Sequence, residues 1–233
     1  MTSAPLNSAA KGKVYPSALE VLEGITDGAS VLVAGYAGRG VPEMLLHGLA
    51  ETGAADLTLV CQGTWLPVRG TFGLADLVAT GQVKKMVSPM PFHPDAGGPV
   101  KELWESGKLE LEIVPQGILA ERLRAGGAGI GGVFLPTGAR TRFTEGKELR
   151  PFDGKEHVLE FALKADFALL KAKSADTLGN MVYERTGRNW NPIMAMAAAV
   201  TVAEVDHVVE PGGIDAETVI TQAIFIDRLV LAV

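Results

Sequence analysis

Cysteine is nearly absent, with Cys61 the only one in 233 residues. A lone thiol excludes an internal disulfide and any zinc site built on several thiolates. Basic excess is missing as well, since 21 Lys and Arg face 27 Asp and Glu for a net charge of −6. Such a balance leaves no footprint for nucleic acid or an anionic membrane, and neither is expected as a partner. Long hydrophobic runs are lacking. The longest, residues 193–203, is about half of the ~20 residues that a membrane-spanning helix takes. The N-terminal stretch MTSAPLNSAAKGKVY is polar and has no apolar secretion core. A soluble, cytoplasmic protein is expected. His47, His93, His157 and His207 are scattered without metal-ligand spacing, which predicts no metal site.

Glycine is abundant instead. The chain carries 28, well above the average share of ~7%, clustered in loops without a period. Tight turns around a binding site fit that distribution better than a fibre does. Hydrophobic residues make up 47%, enough for a substantial core in one α/β domain spanning 1–233, with 1–13 as a flexible arm. Residues 29–35, ASVLVAG, form an apolar run without alternation, as in a strand buried on both faces. Pro42 then opens a helix that Gly53 closes, and DLTLVCQG (56–63) is the next strand. Strand, helix and strand in sequence make a βαβ unit. The pattern recurs: a strand at 83–87, a helix stopped by Gly107, a strand at 109–114, and a helix that dissolves into RAGGAGIGG. A strand at 167–172 follows, then a helix and strand within 193–209. GKELRPFDGKE (146–156) reads as a charged surface hairpin. The predicted fold class is α/β, a three-layer Rossmann-like domain with a largely parallel sheet.

The loop after the first strand, Ala34, Gly35, Tyr36, Ala37, Gly38, Arg39 and Gly40, has three readings. One is a tight turn with no ligand. The second is a dinucleotide site, but glycines at 35, 38 and 40 miss the G-x-G-x-x-G spacing. Cys61 and Gln62 also stand where the ribose-binding acid belongs. The third comes from a longer match. DGASVLVAGYAGRGVPE (27–43) resembles the first signature of the class I coenzyme A transferases: Asp-Gly, two residues, three aliphatics, Gly-Gly-Phe, three residues, Gly, one residue, Pro. Asp27, Gly28, Val31, Leu32, Val33, Gly35, Gly40 and Pro42 fit. Ala34 replaces the first glycine, where a Cβ penalises positive φ, and Tyr36 replaces the phenylalanine. QVKKMV, GKLELEIVPQGILAERLRAGGAGIGGVFLPTG, DGKEHVLEFALKADFALLKA, GNMVY, NWNPIMAMAA and FIDRLV are similar, in order, to segments of the family's alpha subunit. The chain is identified as a member of that family, of the alpha type, nearest to the 3-oxoacid and 3-oxoadipate:succinyl-CoA transferases.

That resemblance implies an enzyme moving coenzyme A from succinyl-CoA to a 3-oxoacid, with 3-oxoadipate favoured. A short-chain acetate, acetoacetate or butyrate transferase is the alternative, and a sugar-phosphate-binding α/β protein a more distant one. Coenzyme A and acyl-CoA enter as substrates, and no tightly bound cofactor is expected. The resemblance assigns coenzyme A to residues 34–40, where the helix beginning after Pro42 adds unpaired N–H groups and a positive dipole end. It places the second glycine loop (124–140) beside the acyl substrate, through Gly127, Gly129 and Gly131. Arg140 and Arg142 offer guanidinium forks for a distal carboxylate. The loop's other reading is a helix end with Gly126 as its left-handed cap. Asn191 reads as an N-cap. The family's nucleophile is a glutamate in a Ser-Glu-Asn-Gly motif of the beta half, and this chain contains neither Glu-Asn nor Asn-Gly. No catalytic nucleophile is therefore expected here. The resemblance implies a beta subunit that carries the glutamate, in an α2β2 heterotetramer.

Overall fold

Apolar runs bounded by glycine turns become the strands of one large sheet. The computed structural model describes residues 12–64, 72–93, 95 and 97–232. In chain order the elements are β1 (Val14–Tyr15), α1 (Ala18–Val21), β2 (Ser30–Val33), α2 (Glu43–Thr52), β3 (Leu57–Cys61), α3 (Leu74–Ala79) and β4 (Val83–Ser88). Next come α4 (Pro99–Glu105), β5 (Glu110–Ile113), α5 (Gln116–Gly127), β6 (Gly132–Leu135), β7 (Leu149–Phe152) and β8 (Lys155–Phe161). The chain finishes with β9 (Ala165–Asp176), β10 (Met181–Val182), α6 (Asn191–Ala195), β11 (Ala198–Val209) and β12 (Arg228–Leu231). The main sheet runs β1-β12-β11-β9-β2-β3-β4-β5, with β10 beside β9. Every pairing along that path is parallel, and β10 alone is antiparallel.

Burial on both faces explains the missing alternation. Val31 and Val33 pack into a core with Leu45, Leu46 and Leu49 of α2 and Leu77 of α3. Leu32 between them faces the opposite core, with Leu119 and Leu123 of α5 and Met194 of α6. Leu59 and Val60 of β3 divide in the same way. Each fully buried aliphatic side chain contributes ~1.5–3 kcal/mol of transfer free energy, and a strand with two dry faces collects it at every position. The result is a helix–sheet–helix sandwich, the expected three layers.

The order of strands positions the site. From β2 the chain lays down β3, β4 and β5 to one side, and later β9, β11 and β12 to the other. Beyond the carboxyl end of β2, at the switch point of the sheet, the chain leaves the sheet while β9 runs on to Asp176. A crevice opens there over the continuing stretch of β9 and β11.

Some expectations are corrected. The strand at 167–172 is twice as long, because β9 and β11 pair from Ala165 to Asp176, through residues whose polarity hid the pattern. The helix read from residue 193 stops at Ala195, because Ala198 already pairs with Ala165. The charged hairpin exists as β7–β8, and it gains β6 as a third strand in a separate antiparallel sheet. Gly126 is no left-handed cap. It lies inside α5, and Gly129 takes the left-handed conformation at φ 72°. Residues 1–11 of the expected arm lie outside the described residues. Lys13 is tied down, its Nζ donating to the Ala223 carbonyl at 2.7 Å.

Candidate active site

The loop at 34–40 is a tight hairpin set on the end of β2. Ala34 N–H donates to the Leu169 carbonyl at 3.1 Å and continues the strand, so its β-carbon is buried without a left-handed backbone. Gly35 turns the chain at φ 116°, where a β-carbon would come within 2.5 Å of Val41 Cγ2. Tyr36 and Arg39 then exchange backbone hydrogen bonds of 3.0 and 2.9 Å around Ala37 and Gly38. Both central residues have positive φ, 50° and 73°, as a two-residue type I′ turn requires. That geometry explains the glycine at 38 and leaves Ala37 in a conformation that costs a β-carbon ~1 kcal/mol. Among the described residues the Ala37 and Gly38 N–H groups make no backbone hydrogen bond.

Two asparagines fasten this hairpin. Asn189 Nδ2 donates to the Arg39 carbonyl at 2.9 Å. Asn191, fully buried, donates through Nδ2 to the carbonyls of Gly40 (3.1 Å) and Gly187 (2.8 Å), while its Oδ1 accepts the Lys171 N–H at 2.9 Å. Asn191 is therefore a clamp and not the N-cap its position suggested, because Trp190 occupies the cap. Gly40 is a close-approach glycine: a β-carbon there would overlap the Gly187 carbonyl.

A cavity of about 530 Å³ opens between the hairpin and the middle of β9 and β11, lined by Gly38, Arg39, Gly40 and Val41, by Lys171 and Lys173, by Glu204 and Asp206, and by residues 184–187. The charged floor follows from register. Lys171 stands opposite Glu204 across the parallel β9–β11 pair, so the two side chains emerge together. Lys171 Nζ lies 3.2 Å from Glu204 Oε1 and 2.6 Å from Asp206 Oδ1, and Lys173 Nζ is 3.4 Å from Asp206 Oδ2. Glu204 is buried and its Oε2 accepts the Leu45 N–H of α2 at 2.9 Å. Burial holds its carboxyl above the usual range, against the opposing pull of the Lys171 charge and the α2 amides. Burial also opposes the charge on Lys171, but Asp206 and Glu204 outweigh it and raise the pKa. The N-terminus of α2, expected to face a ligand anion, is thus already met by a carboxylate of the chain itself.

Nothing in the local sequence announces this floor. Lys171, Glu204 and Asp206 are assembled by pairing between strands 33 residues apart. At the neighbouring strand end Gln62 is 2% exposed and its Nε2 has no hydrogen-bond partner among the described residues. Its side chain, in sequence terms only a poor ribose ligand, is a buried donor outside the cavity lining.

The residues assigned to the acyl side stand elsewhere. Gly127 packs on Met196, where a β-carbon would come within 2.6 Å of Met196 Cβ, and Gly129 and Gly131 are in open space. The Arg140 side chain is 83% exposed, 4.0 Å from Glu156, and the Arg142 guanidinium lies 5.3 Å from the Phe143 ring centre. None of these five residues lines the cavity. Among the described residues no group of His, Cys, Asp and Glu could hold a metal ion. No helix there is long and apolar enough to cross a membrane.

The profile of the family described as Coenzyme A transferase matches residues 16–232. Over 218 residues the chain is 48% identical to one subunit of 3-oxoadipate CoA-transferase from Pseudomonas putida, covering 94% of this chain and 93% of that one. It is 44% identical over 230 residues to one subunit of succinyl-CoA:3-ketoacid coenzyme A transferase from Xanthomonas campestris pv. campestris, covering 97% and 93%. A solved acyl-CoA transferase from E. coli O157:H7, in a thioester complex with CoA, shares the fold with a TM-score of 0.78 at 21% identity. The match covers 95% of this chain and 47% of that one, so the chain spans about half the length of that solved protein. Since the matched region holds the hairpin, the strand ends and the asparagine clamps alike, the chain belongs to the coenzyme A transferase family.

Proposed function

We propose that this chain is the alpha subunit of a heteromeric enzyme that moves coenzyme A from succinyl-CoA to a 3-oxoacid, with 3-oxoadipate the favoured acceptor. The reading is carried by the near-full-length likeness to the 3-oxoadipate relative. The cavity supports it. The ion pairs of the floor engage Lys171 and Lys173, which leaves Arg39 and Arg185, among the described residues, as the lining cations available to an incoming phosphate. The N–H groups of Ala37 and Gly38 are donors suited to the pantetheine arm or the thioester oxygen. Coenzyme A is substrate, and residues 34–40 form its side of the pocket.

Exchange between two carboxylates needs a carboxylate nucleophile. It attacks the acyl thioester and expels the coenzyme A thiolate, which then displaces the acyl group to give an enzyme–CoA thioester and the free acid. The second half-reaction runs the same steps in reverse with the acceptor, and the kinetics are ping-pong. We assign that nucleophile to a glutamate of a beta subunit, in an α2β2 assembly. The isolated chain should be inactive, and mixing with its partner should restore exchange. Trapping the thioester and mapping it by mass spectrometry is the test. An adduct on a glutamate of this chain, with exchange by this chain alone, would overturn the assignment.

Arg140 and Arg142 are proposed to hold the distal carboxylate of the acceptor at the assembled site. Replacing either by Ala should then harm 3-oxoadipate more than acetoacetate, by roughly tenfold to a hundredfold in kcat/KM, the worth of a charge-assisted contact. Equal losses on both acceptors would remove the arginines from substrate recognition.

A further inference from the structure

The segment from Gly40 to Leu45 is held at both ends by side chains that bond to Lys171 of β9. At its start, the Gly40 carbonyl accepts from Asn191 Nδ2, and Asn191 Oδ1 accepts the backbone N–H of Lys171. At its end, the Leu45 N–H donates to Glu204 Oε2, and Glu204 Oε1 pairs with the Lys171 ammonium. Lys171 thus anchors both ends, through its backbone at one and its side chain at the other. Between them Gly40, Val41 and Glu43 line the cavity. Lys171 is itself fixed by Asp206, 2.6 Å from Nζ, and Asp206 by Lys173.

The arrangement is poorly accounted for by stability alone. A buried ion pair is weak support for a fold, because desolvation cancels much of the attraction. Capping the first turn of α2 needs only an oxygen such as Ser or Asp commonly supplies from the neighbouring residue. Here the cap comes instead from a strand 159 residues away in sequence, and it belongs to the floor of the cavity. We infer that Glu204 and Lys171 are positioning residues, which set the height of the 34–40 hairpin over the sheet so that its amides and Arg39 meet coenzyme A. The inference rests on the proposed role of that hairpin.

The test uses the assembled heteromer, with rates normalised to the amount of enzyme–CoA thioester that can be trapped. Glu204→Ala should raise KM for succinyl-CoA by about tenfold or more, the effect of leaving the buried Leu45 N–H without its acceptor while Asp206 still holds the Lys171 ammonium, with kcat per competent site far less changed. Glu204→Gln keeps an acceptor for Leu45 and should recover most of that loss. Lys171→Met alone strands the Glu204 charge, so the double variant Lys171→Met/Glu204→Gln should bind succinyl-CoA better than Lys171→Met. If Glu204→Ala fails to assemble, Glu204→Met fills the same space without an acceptor and takes its place. Unchanged KM in both Ala and Met variants would overturn the inference, as would kcat and KM losses that merely track a fall in thermal stability. Gly38→Val separates the two claims. If it too leaves KM unchanged, the hairpin reading fails; if it raises KM while the Glu204 variants do not, only the positioning role fails.

Discussion

At Gly40 a β-carbon would overlap the Gly187 carbonyl and sit 2.8 Å from Asn191 Nδ2. Gly38 shares the left-handed backbone of Gly40 (φ 73° and 66°) but sits in the turn that faces the cavity. The two glycines look equivalent in the sequence, and substitution should distinguish them. Gly40→Val should loosen the asparagine clamp and lower stability by ~2–4 kcal/mol, because overpacking adds to the strain of its own left-handed backbone. Gly38→Val should cost about 1–2 kcal/mol of backbone strain and should weaken acyl-CoA use well beyond that loss of stability. Urea titration beside steady-state kinetics separates the effects, and wild-type kinetics in Gly38→Val would take the hairpin out of the coenzyme site. Cys61, by contrast, is chemically quiet: burial pushes its thiol to about 12, despite hydrogen bonding from Gly63 and Ser88.

Helix α5 owes its seat to its glycines. A β-carbon at Gly126 would overlap the Leu163 carbonyl and lie 3.2 Å from Lys164 Cγ, so the helix lies directly on the backbone that leads into β9. Gly131 meets nothing within 4 Å. Gly126→Ala should therefore destabilise the protein by ~1–3 kcal/mol by lifting α5 from its seat, whereas Gly131→Ala should be nearly neutral. Gly129→Ala should fall between, at ~1 kcal/mol, for its left-handed backbone. Denaturant midpoints check the order, and equal effects at 126 and 131 would contradict the packing. In one dimension Gly126, which a close helix contact requires, and Gly131, which nothing crowds, look the same.

Across the whole molecule, carboxylates act as ties between distant segments. Asp166 accepts the Ser30 hydroxyl (2.6 Å) and amide (2.8 Å), joining the starts of β2 and β9, and those bonds hold its pKa below the usual range. Burial works against Asp176, Glu112 and Asp206, yet the Asn180 amide and nearby N–H groups, the Lys85–Arg122 pair, and Lys171 with Lys173 respectively keep each one low. A folded pKa below the unfolded one contributes stability above the unfolded value, ~4, and that stability is lost as pH falls through the folded value. Glu204 has the opposite sign, since burial raises it and the folded state gains by protonating it. Four groups against one predict a net loss of stability in acid, below about pH 4. Urea melts across that range should show it, and Asp166→Asn should flatten the decline. Stability that stays level through acid would refute the account.

Short-range physics made the α/β class, most strand positions and the tight glycine loop between β2 and α2 legible from the residues alone. Dry strands leave unbroken apolar runs, and a left-handed turn demands glycine within a few residues. What lies under the hairpin became visible only in three dimensions. Lys171 and Glu204 meet because β9 and β11 pair in one register, and Asn191 reaches Gly40 only once α6 is seated beside β9. A polar residue in a strand costs the same local propensity whether it faces water or a buried partner. Its partner is set by chain folding over distances that no local pattern records.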